Sequence, residues 1–129
     1  MRQKAFKFDA NDKKMIKLLN SIGINKNTSK ILIFFFHTKE TISAQLERIL
    51  ELRQPEVSVA LRALIQKEWL IKTNIKKGCK GRPTYAYRLV LTPQTVIRKI
   101  IQSKQKEIKK LNKNIECLAK LVMKISSSS

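Results

Sequence analysis

Several residue types that define other classes of protein are scarce in this chain of 129 residues, which has two cysteines, one histidine and three glycines. The cysteines, Cys79 and Cys117, are too few and too far apart for the disulfide framework of a small secreted protein. They also lack metal-ligand spacing with His37. Neither a phosphate-binding glycine loop nor a nucleophile elbow accompanies the histidine. The sequence therefore indicates a protein that is not an enzyme and binds no cofactor or metal.

Long hydrophobic runs are also missing. The longest, at 31–36, is about a third of the length that spans a membrane. The first four residues (MRQK) lead into a polar segment and not into the apolar region of a secretory signal peptide. We therefore expect a soluble, cytoplasmic protein with no membrane partner.

Acidic residues are few compared with basic ones: nine against 28, which gives a net charge of +19. A charge of this size attracts polyanions. Its distribution is uneven, because 41–71 contains four basic and four acidic residues, whereas 72–92 contains six basic residues and no acidic one. The hydrophobic fraction of 43% is that of a globular protein.

Apolar spacing and capping residues predict five helices and one β-hairpin, a mainly α architecture of the α+β class. The second helix is apolar nearly all round, so its pattern also fits a buried strand; the preceding cap favours a helix. The predicted helices are a first one that ends at about 21 (capped by Asp9 or Asn11 and closed by Gly23 and Asn25), 30–37 (capped by Thr28 or Ser29), 42–50 (opened by Thr41), 55–67 (begun by Pro55) and 93–125. The predicted strands are 69–74 and 85–90, joined by a basic turn.

Two short helices joined by a tight turn and followed by a basic hairpin occur in the order of a winged helix-turn-helix. In that fold the second helix of the pair enters the major groove and the hairpin, or wing, reaches the neighbouring DNA backbone. We therefore expect a winged helix-turn-helix domain at 1–92, with a recognition helix at about 55–67 and a basic wing at 75–84.

The segments around the turn also carry a family resemblance. The turn and helix at 52–58 (LRQPEVS) and 61–70 (LRALIQKEWL), and the wing at 80–83 (KGRP) leading to 87–89 (YRL), resemble winged helix-turn-helix transcription regulators of the ArsR/MarR/TrmB-like group, especially predicted archaeal regulators. The resemblance covers about 28–91 and implies a regulator that binds double-stranded DNA. One difference is Glu68, where the group usually has glycine.

The match implies that one face of the recognition helix and the wing bind DNA. Arg62 can make a bidentate contact with guanine or hold a phosphate, and Glu56 has the alternative role of only capping its own helix. Cys79 among the lysines is a weak candidate for redox sensing. The implied contacts on the helix are Gln54, Glu56, Ser58, Val59 and Arg62; those in the wing are Lys76, Lys77, Lys80 and Arg82. Tyr85 and Tyr87 are interpreted as packing residues of the hairpin.

Apolar residues of the last helix alternate by four and three, the heptad pattern of a coiled coil. β-Branched residues at a with leucines among the d positions favour a parallel, two-stranded coil, but Ile100 and Leu121 widen the stripe, so that helix orientation and packing within one chain both remain open. The a positions are Ile101, Ile108, Ile115 and Val122, and the d positions are Ile97, Lys104, Leu111, Leu118 and Ile125. We expect 93–126 to be a dimerisation helix, with 127–129 as a disordered tail.

Three functions fit these patterns. The polar face of the fourth helix favours a homodimeric, sequence-specific regulator that binds a pseudo-palindromic site. The high charge favours a chromatin-like architectural protein that binds DNA without sequence preference. A protein-interaction winged helix of the transcription machinery is disfavoured, because the chain lacks acidic exposed helix faces.

Overall fold

The computed structural model describes residues 6–75 and 84–127, and in these ranges the chain forms five helices and three strands. The helices are α1 (Ala10–Ser21), α2 (Lys26–His37), α3 (Ser43–Leu50), α4 (Gln54–Gln66) and α5 (Pro93–Ser127). The strands are β1 (Glu40–Ile42), β2 (Leu70–Asn74) and β3 (Tyr85–Leu89). The predicted α+β class is confirmed. The predicted wing residues Lys76, Lys77, Lys80 and Arg82 lie outside the described residues.

The three strands form one antiparallel sheet in the order β1-β3-β2. The sequence predicted the two strands of the hairpin, but the prediction that Thr41 opens the third helix is wrong. Thr41 lies in β1 opposite Tyr87, and α3 begins two residues later at Ser43. The Thr41 side chain is buried and donates a hydrogen bond to Oε1 of Gln45 at 2.7 Å. The hydroxyl therefore contacts the first turn of α3 from a strand position, which suits a β-branched residue.

The second helix also begins earlier than predicted. Asn25, predicted to close the first helix, is the N-cap of α2, and its side chain accepts hydrogen bonds from the backbone N–H groups of Asn27 and Thr28. Asparagine is among the strongest N-cap residues. Ser29, which was predicted as a cap, is buried inside the helix, where its hydroxyl donates to the backbone oxygen of Asn25 at 2.9 Å.

The core of the first 93 residues is built around α2, which contacts α1 and α4. A helix that is apolar on all sides is stable only when it is buried, and Ile31, Leu32 and Ile33 are completely buried. The 31–36 run is thus a buried helix rather than a strand. The remaining core side chains come from α2 itself and from the elements around it: Ile16, Leu19, Phe34, Phe35, Leu46, Leu50, Val57, Ala60, Leu61, Leu64, Trp69, Leu70 and Ala86.

A partly buried hydrogen bond between two side chains joins α1 to the end of α2. Nε2 of His37 lies 2.7 Å from Oδ1 of Asp12, whose side chain is almost fully buried. Asp12 also forms a capping box with Asp9: the Asp12 N–H donates to Asp9 at 2.8 Å, and the Asp9 N–H donates to Asp12 at 3.0 Å. Burial raises the pKa of Asp12, but the hydrogen bonds from His37 and Asp9 and the charge of His37 outweigh it, so the pKa is lowered overall.

The last helix, α5, has 35 residues and a length of about 52 Å at 1.5 Å per residue. The chain divides into two compact units at Pro93, and nearly all of α5 belongs to the second. Val96 and Ile100 are buried, whereas the apolar side chains from Ile101 to Ile125 are exposed. Ser127, which the sequence assigned to the tail, is the last residue of α5. Within the described residues, no helix is long and apolar enough to cross a membrane.

Candidate nucleic-acid interface

Helix α4 has one buried face and one polar face. Val57, Ala60, Leu61 and Leu64 are buried, at the spacing that places residues on one side of a helix. Ile65, which was predicted to point inward, is half-buried. Of the predicted DNA-binding residues on this helix, Gln54, Val59 and Arg62 are exposed, while Glu56 and Ser58 are half-buried.

The polar face of α4 forms one wall of a groove with a volume of about 260 Å³. The opposite wall comes from the sheet, where Lys72 of β2 pairs with Tyr87 of β3. Directly paired residues of antiparallel strands project from the same face of a sheet. The groove is lined by Ser43, Gln54, Val57, Ser58, Leu61, Arg62, Ile65, Gln66, Lys72 and Tyr87. It therefore brings together three of the five contacts predicted on the helix, Gln54, Ser58 and Arg62. Glu56 and Val59 do not line it.

The polar side chains of the groove are available to a ligand. Within the described residues, Arg62 makes no ion pair, and the side chains of Gln54 and Ser58 make no hydrogen bond. The ammonium group of Lys72 lies 4.6 Å from the centre of the Tyr85 ring, a cation–π contact that holds the lysine at the sheet. Burial and then the neighbouring Tyr85 raise the pKa of Tyr87, so its phenol is a neutral hydrogen-bond donor at physiological pH.

Glu56 is already bonded within the protein. One carboxylate oxygen accepts a hydrogen bond from the Arg53 N–H at 2.8 Å, and the other accepts one from the Asn27 amide at 3.1 Å. These two bonds hold the pKa of Glu56 below its ordinary value. The carboxylate caps the N-terminus of α4, where the helix dipole favours negative charge, and connects it to the start of α2. This is the capping role that the sequence analysis gave as the alternative.

Sequence reasoning did not assign four polar residues of the groove: Ser43, Gln66, Lys72 and Tyr87. Lys72 was noted only as part of the basic segment, and Tyr87 was interpreted as a packing residue. The alternation of side chains in the two strands could have indicated that Lys72 and Tyr87 lie on the same face of the hairpin. It could not have shown that this face is turned toward α4, because that depends on how the sheet packs.

The arrangement of α3, α4 and the β2–β3 hairpin decides the architecture: a three-residue segment connects α3 to α4, and the antiparallel hairpin follows α4. The first unit is a winged helix-turn-helix domain. Archaeal and MarR-family transcription regulators of this fold are among the similar solved structures, which confirms the resemblance read from the sequence at the level of the fold.

Three of these structures are particularly informative. TrmBL2, described as an archaeal chromatin protein with a novel mode of DNA binding, has a TM-score of 0.68 and 20% identity over 88% of this chain. A possible transcriptional regulator from Methanosarcina mazei Go1 has a TM-score of 0.59 and 20% identity over 77% of this chain and 82% of its own. A transcriptional regulator homologue from Pyrococcus horikoshii OT3 has a TM-score of 0.52 and 17% identity over 78% of this chain and 97% of its own.

The match to TrmBL2 covers only 41% of that protein, so this chain corresponds to less than half of its length. No family model and no curated protein matches the sequence. The similarity to these structures therefore concerns the fold alone. Among the residues that the structure describes, no group of three histidine, cysteine or acidic side chains could hold a metal ion.

Proposed function

We propose that this chain is a transcription regulator that binds specific double-stranded DNA sites as a homodimer. The observation that carries the proposal is the polar face of α4, where Gln54, Ser58 and Arg62 line one groove and have no partner among the described residues. A recognition helix needs such uncommitted groups, because base edges in the major groove are distinguished by hydrogen bonds.

The contacts divide into two kinds. Arg62 donates to a guanine, while Gln54 and Ser58 bond base edges nearer the N-terminus of α4. Exposed Val59 contacts a thymine methyl group. Lys72 and the phenol of Tyr87 bind phosphate and position the helix, and the wing residues Lys76, Lys77, Lys80 and Arg82 continue this role along the backbone or in the minor groove.

The second copy of the chain binds along α5. Seven apolar heptad residues between Ile101 and Ile125 are about half exposed or more in the single chain, namely Ile101, Ile108, Leu111, Ile115, Leu118, Val122 and Ile125. A row this long is costly to leave in water and is the pattern of a coiled-coil partner surface. Two recognition helices in one dimer suit a site with two half-sites.

A chromatin-like protein that coats DNA without sequence preference is the second candidate. The net charge of +19 favours it, as does the structural similarity to TrmBL2, itself described as a chromatin protein. The two functions differ in what Arg62 does, because phosphate contacts carry no sequence information and a bidentate base contact discriminates by about 1–3 kcal/mol.

Replacing Arg62 with alanine separates these candidates. A preferred site is first selected from random duplexes with the wild-type protein, and competition binding then compares this site with a scrambled one at a fixed salt concentration. We expect the Arg62→Ala variant to lose about 5- to 150-fold in preference for the selected site, which corresponds to the energy of one base contact. Its affinity for the scrambled duplex should fall much less.

Arg48→Ala provides the matched control. Arg48 is exposed on α3, does not line the groove, and carries the same charge. We expect this variant to keep the preference for the selected site. A wild-type protein without any preferred site would reject the regulator in favour of the coating protein. Equal losses of specificity in the two variants would show that Arg62 does not read the base.

A further inference from the structure

The outer face of α5 carries a row of evenly spaced lysines. Lys99, Lys106, Lys113 and Lys120 are each seven residues apart and occupy the f position of every heptad. We call these four residues the lysine row. All four are exposed. The exposed apolar residues at the a and d positions between Ile101 and Ile125 form the apolar seam of α5. The f position lies opposite a and d, so the lysine row and the apolar seam are on opposite sides of the helix.

Helix geometry makes the row nearly straight. Seven residues advance about 10 Å along the helix axis and rotate by only about 20° from two full turns. The four lysines therefore extend over about 32 Å on one side of α5. Lys109, Lys110 and Lys124 occupy the neighbouring b and c positions and broaden the row into a positive surface.

Almost no acidic side chain neutralises this surface. Segment 93–129 contains nine basic and two acidic residues. One of the acids, Glu107, binds Lys104 at 3.1 Å, and this is the sole ion pair of α5 within the described residues. Glu116 is four residues before Lys120, but the structure shows no ion pair between them.

The pattern differs from that of a helix whose charges only keep it soluble. Solvated helix faces usually alternate the sign of their charges, with glutamate four residues before lysine. Here three pairs of lysines have this spacing: 106 with 110, 109 with 113, and 120 with 124. Each such pair repels and so destabilises the helix instead of stabilising it. A ligand with closely spaced negative charges removes this repulsion.

We propose that the lysine row is a second binding surface for duplex DNA, separate from the groove on α4, and that it binds the phosphate backbone. Duplex DNA carries a negative charge about every 1.7 Å of its axis, so a straight row of cations meets phosphates along its whole length. Lysine acts as a mobile point charge without the planar fork with which arginine recognises guanine. The surface is therefore indifferent to sequence.

This second surface goes beyond the proposed function: binding of one duplex along α5 does not depend on α4, whereas holding two duplexes at once rests on the proposed function. A chain that binds one duplex through α4 can hold another DNA segment along α5. The apolar seam remains free for a second copy of the chain, because it faces away from the lysine row. A dimer then exposes two lysine rows and can bring separate duplexes together.

The test replaces the four lysines of the row with glutamine in the full chain. Glutamine is a good helix former, and position f lies outside the seam, so helicity and oligomeric state should persist. A control variant, Lys13→Gln, Lys14→Gln, Lys17→Gln and Lys39→Gln, loses the same charge from exposed positions of α1 and the segment after α2. Circular dichroism and sedimentation equilibrium verify that both variants are folded and keep the wild-type mass.

The first measurement is the salt dependence of binding to a random duplex. Each phosphate contact contributes about 0.9 to the slope of log affinity against log salt. The slope is negative, and we expect its magnitude in the row variant to be lower than in the control variant by about 2 or more. This difference corresponds to at least two lost phosphate contacts. Equal slopes in the two variants would overturn the proposal.

The second measurement asks whether two duplexes are held at once. A duplex on beads is saturated with protein, and recovery of a free labelled duplex is measured. Wild type, the control variant and a Lys→Arg version of the row should recover the second duplex, and the glutamine variant should not. Full recovery by the glutamine variant would contradict the proposal. Vesicles containing phosphatidylserine that displace the second duplex better than DNA at equal phosphate concentration would also contradict it.

Discussion

At the scale of single residues, Asp12 connects two structural features. Its carboxylate completes the capping box of α1 and contacts His37 at the end of α2. Its pKa is lowered in the folded chain. A carboxyl group whose folded pKa is below the unfolded value stabilises the fold fully above the unfolded pKa, near 4, and loses that contribution as the pH falls through the folded pKa.

Asp12→Asn should therefore change the pH dependence of stability. Near pH 7 we expect the variant to be less stable by about 1.5–3 kcal/mol, the range for hydrogen bonds that involve a charged group. The difference should shrink as the pH falls from about 5 toward 2, because the wild-type carboxylate becomes protonated. Urea denaturation across this pH range measures both quantities.

Asp9→Asn is the matched control for this experiment. It removes the same charge three residues away, and asparagine caps a helix about as well as aspartate does. We expect Asp9→Asn to retain more of the wild-type stability at pH 7. If Asp12→Asn showed the acid sensitivity of the wild-type protein, the bonds to His37 and Asp9 would not be the origin of the lowered pKa.

Glu68 shows why the backbone conformation of some residues does not follow from their local preferences. It has a φ of 65°, although the left-handed region is unfavourable by roughly 1–2 kcal/mol for a residue with a side chain. The next residue, Trp69, is buried, and its backbone N–H donates to the backbone oxygen of Leu64 at 3.1 Å. The chain turns here because burial of the indole outweighs the local preference of glutamate. A pattern of local preferences does not include that energy.

At the scale of elements, helices with regular apolar spacing were predicted correctly, whereas β1 was missed. The helices are determined by residues three and four apart, which are visible in the sequence. Strand β1 has three residues and exists because it pairs with β3, more than 40 positions later in the chain. Such a short segment has no readable period of its own. The same limit applies to the groove, since Lys72 and Tyr87 reach α4 only through the packing of the sheet.

The apolar seam of α5 gives a prediction at this scale. Replacing Ile115 and Leu118 with glutamine removes two exposed apolar side chains at a and d. If α5 is the dimer interface, each substitution should weaken it by about 1.5–3 kcal/mol per chain, the value for burying one such side chain. We expect the double variant to be monomeric at micromolar concentration in sedimentation equilibrium, while the wild-type protein is dimeric.

Glutamine at the two intervening positions provides the control. Glu116 and Cys117 occupy the b and c positions of the same turn and are exposed. The Glu116→Gln and Cys117→Gln double variant should remain dimeric, because these positions lie outside the seam. A wild-type protein with the mass of one chain would show that the exposed face does not bind a second copy.

At the scale of the whole molecule, charge is separated from the elements that would read sequence. The segment 41–71, which contains α3 and α4, has four basic and four acidic residues, while the excess charge lies before and after it. A recognition helix without net charge binds the phosphates of DNA of any sequence less tightly. Hydrogen bonds to bases then contribute more to the choice of the binding site. In the proposed function, capture by charge and discrimination by contacts thus belong to different parts of the chain.

The final prediction combines the proposed dimer with the proposed recognition helix. When one chain of a dimer has bound a half-site, the second binds intramolecularly, and affinity exceeds that for a single half-site by about 10²–10⁴. We expect the wild-type protein to prefer a selected site with both half-sites over the same duplex with one half-site scrambled by at least 100-fold. The Ile115→Gln and Leu118→Gln variant should prefer it by only about twofold, the statistical factor for two independent half-sites. Both proteins should bind the single half-site with similar affinity, because each α4 remains intact. A selected site without repeated halves, or a monomeric variant that retains the wild-type preference, would show that recognition does not require two copies of α4.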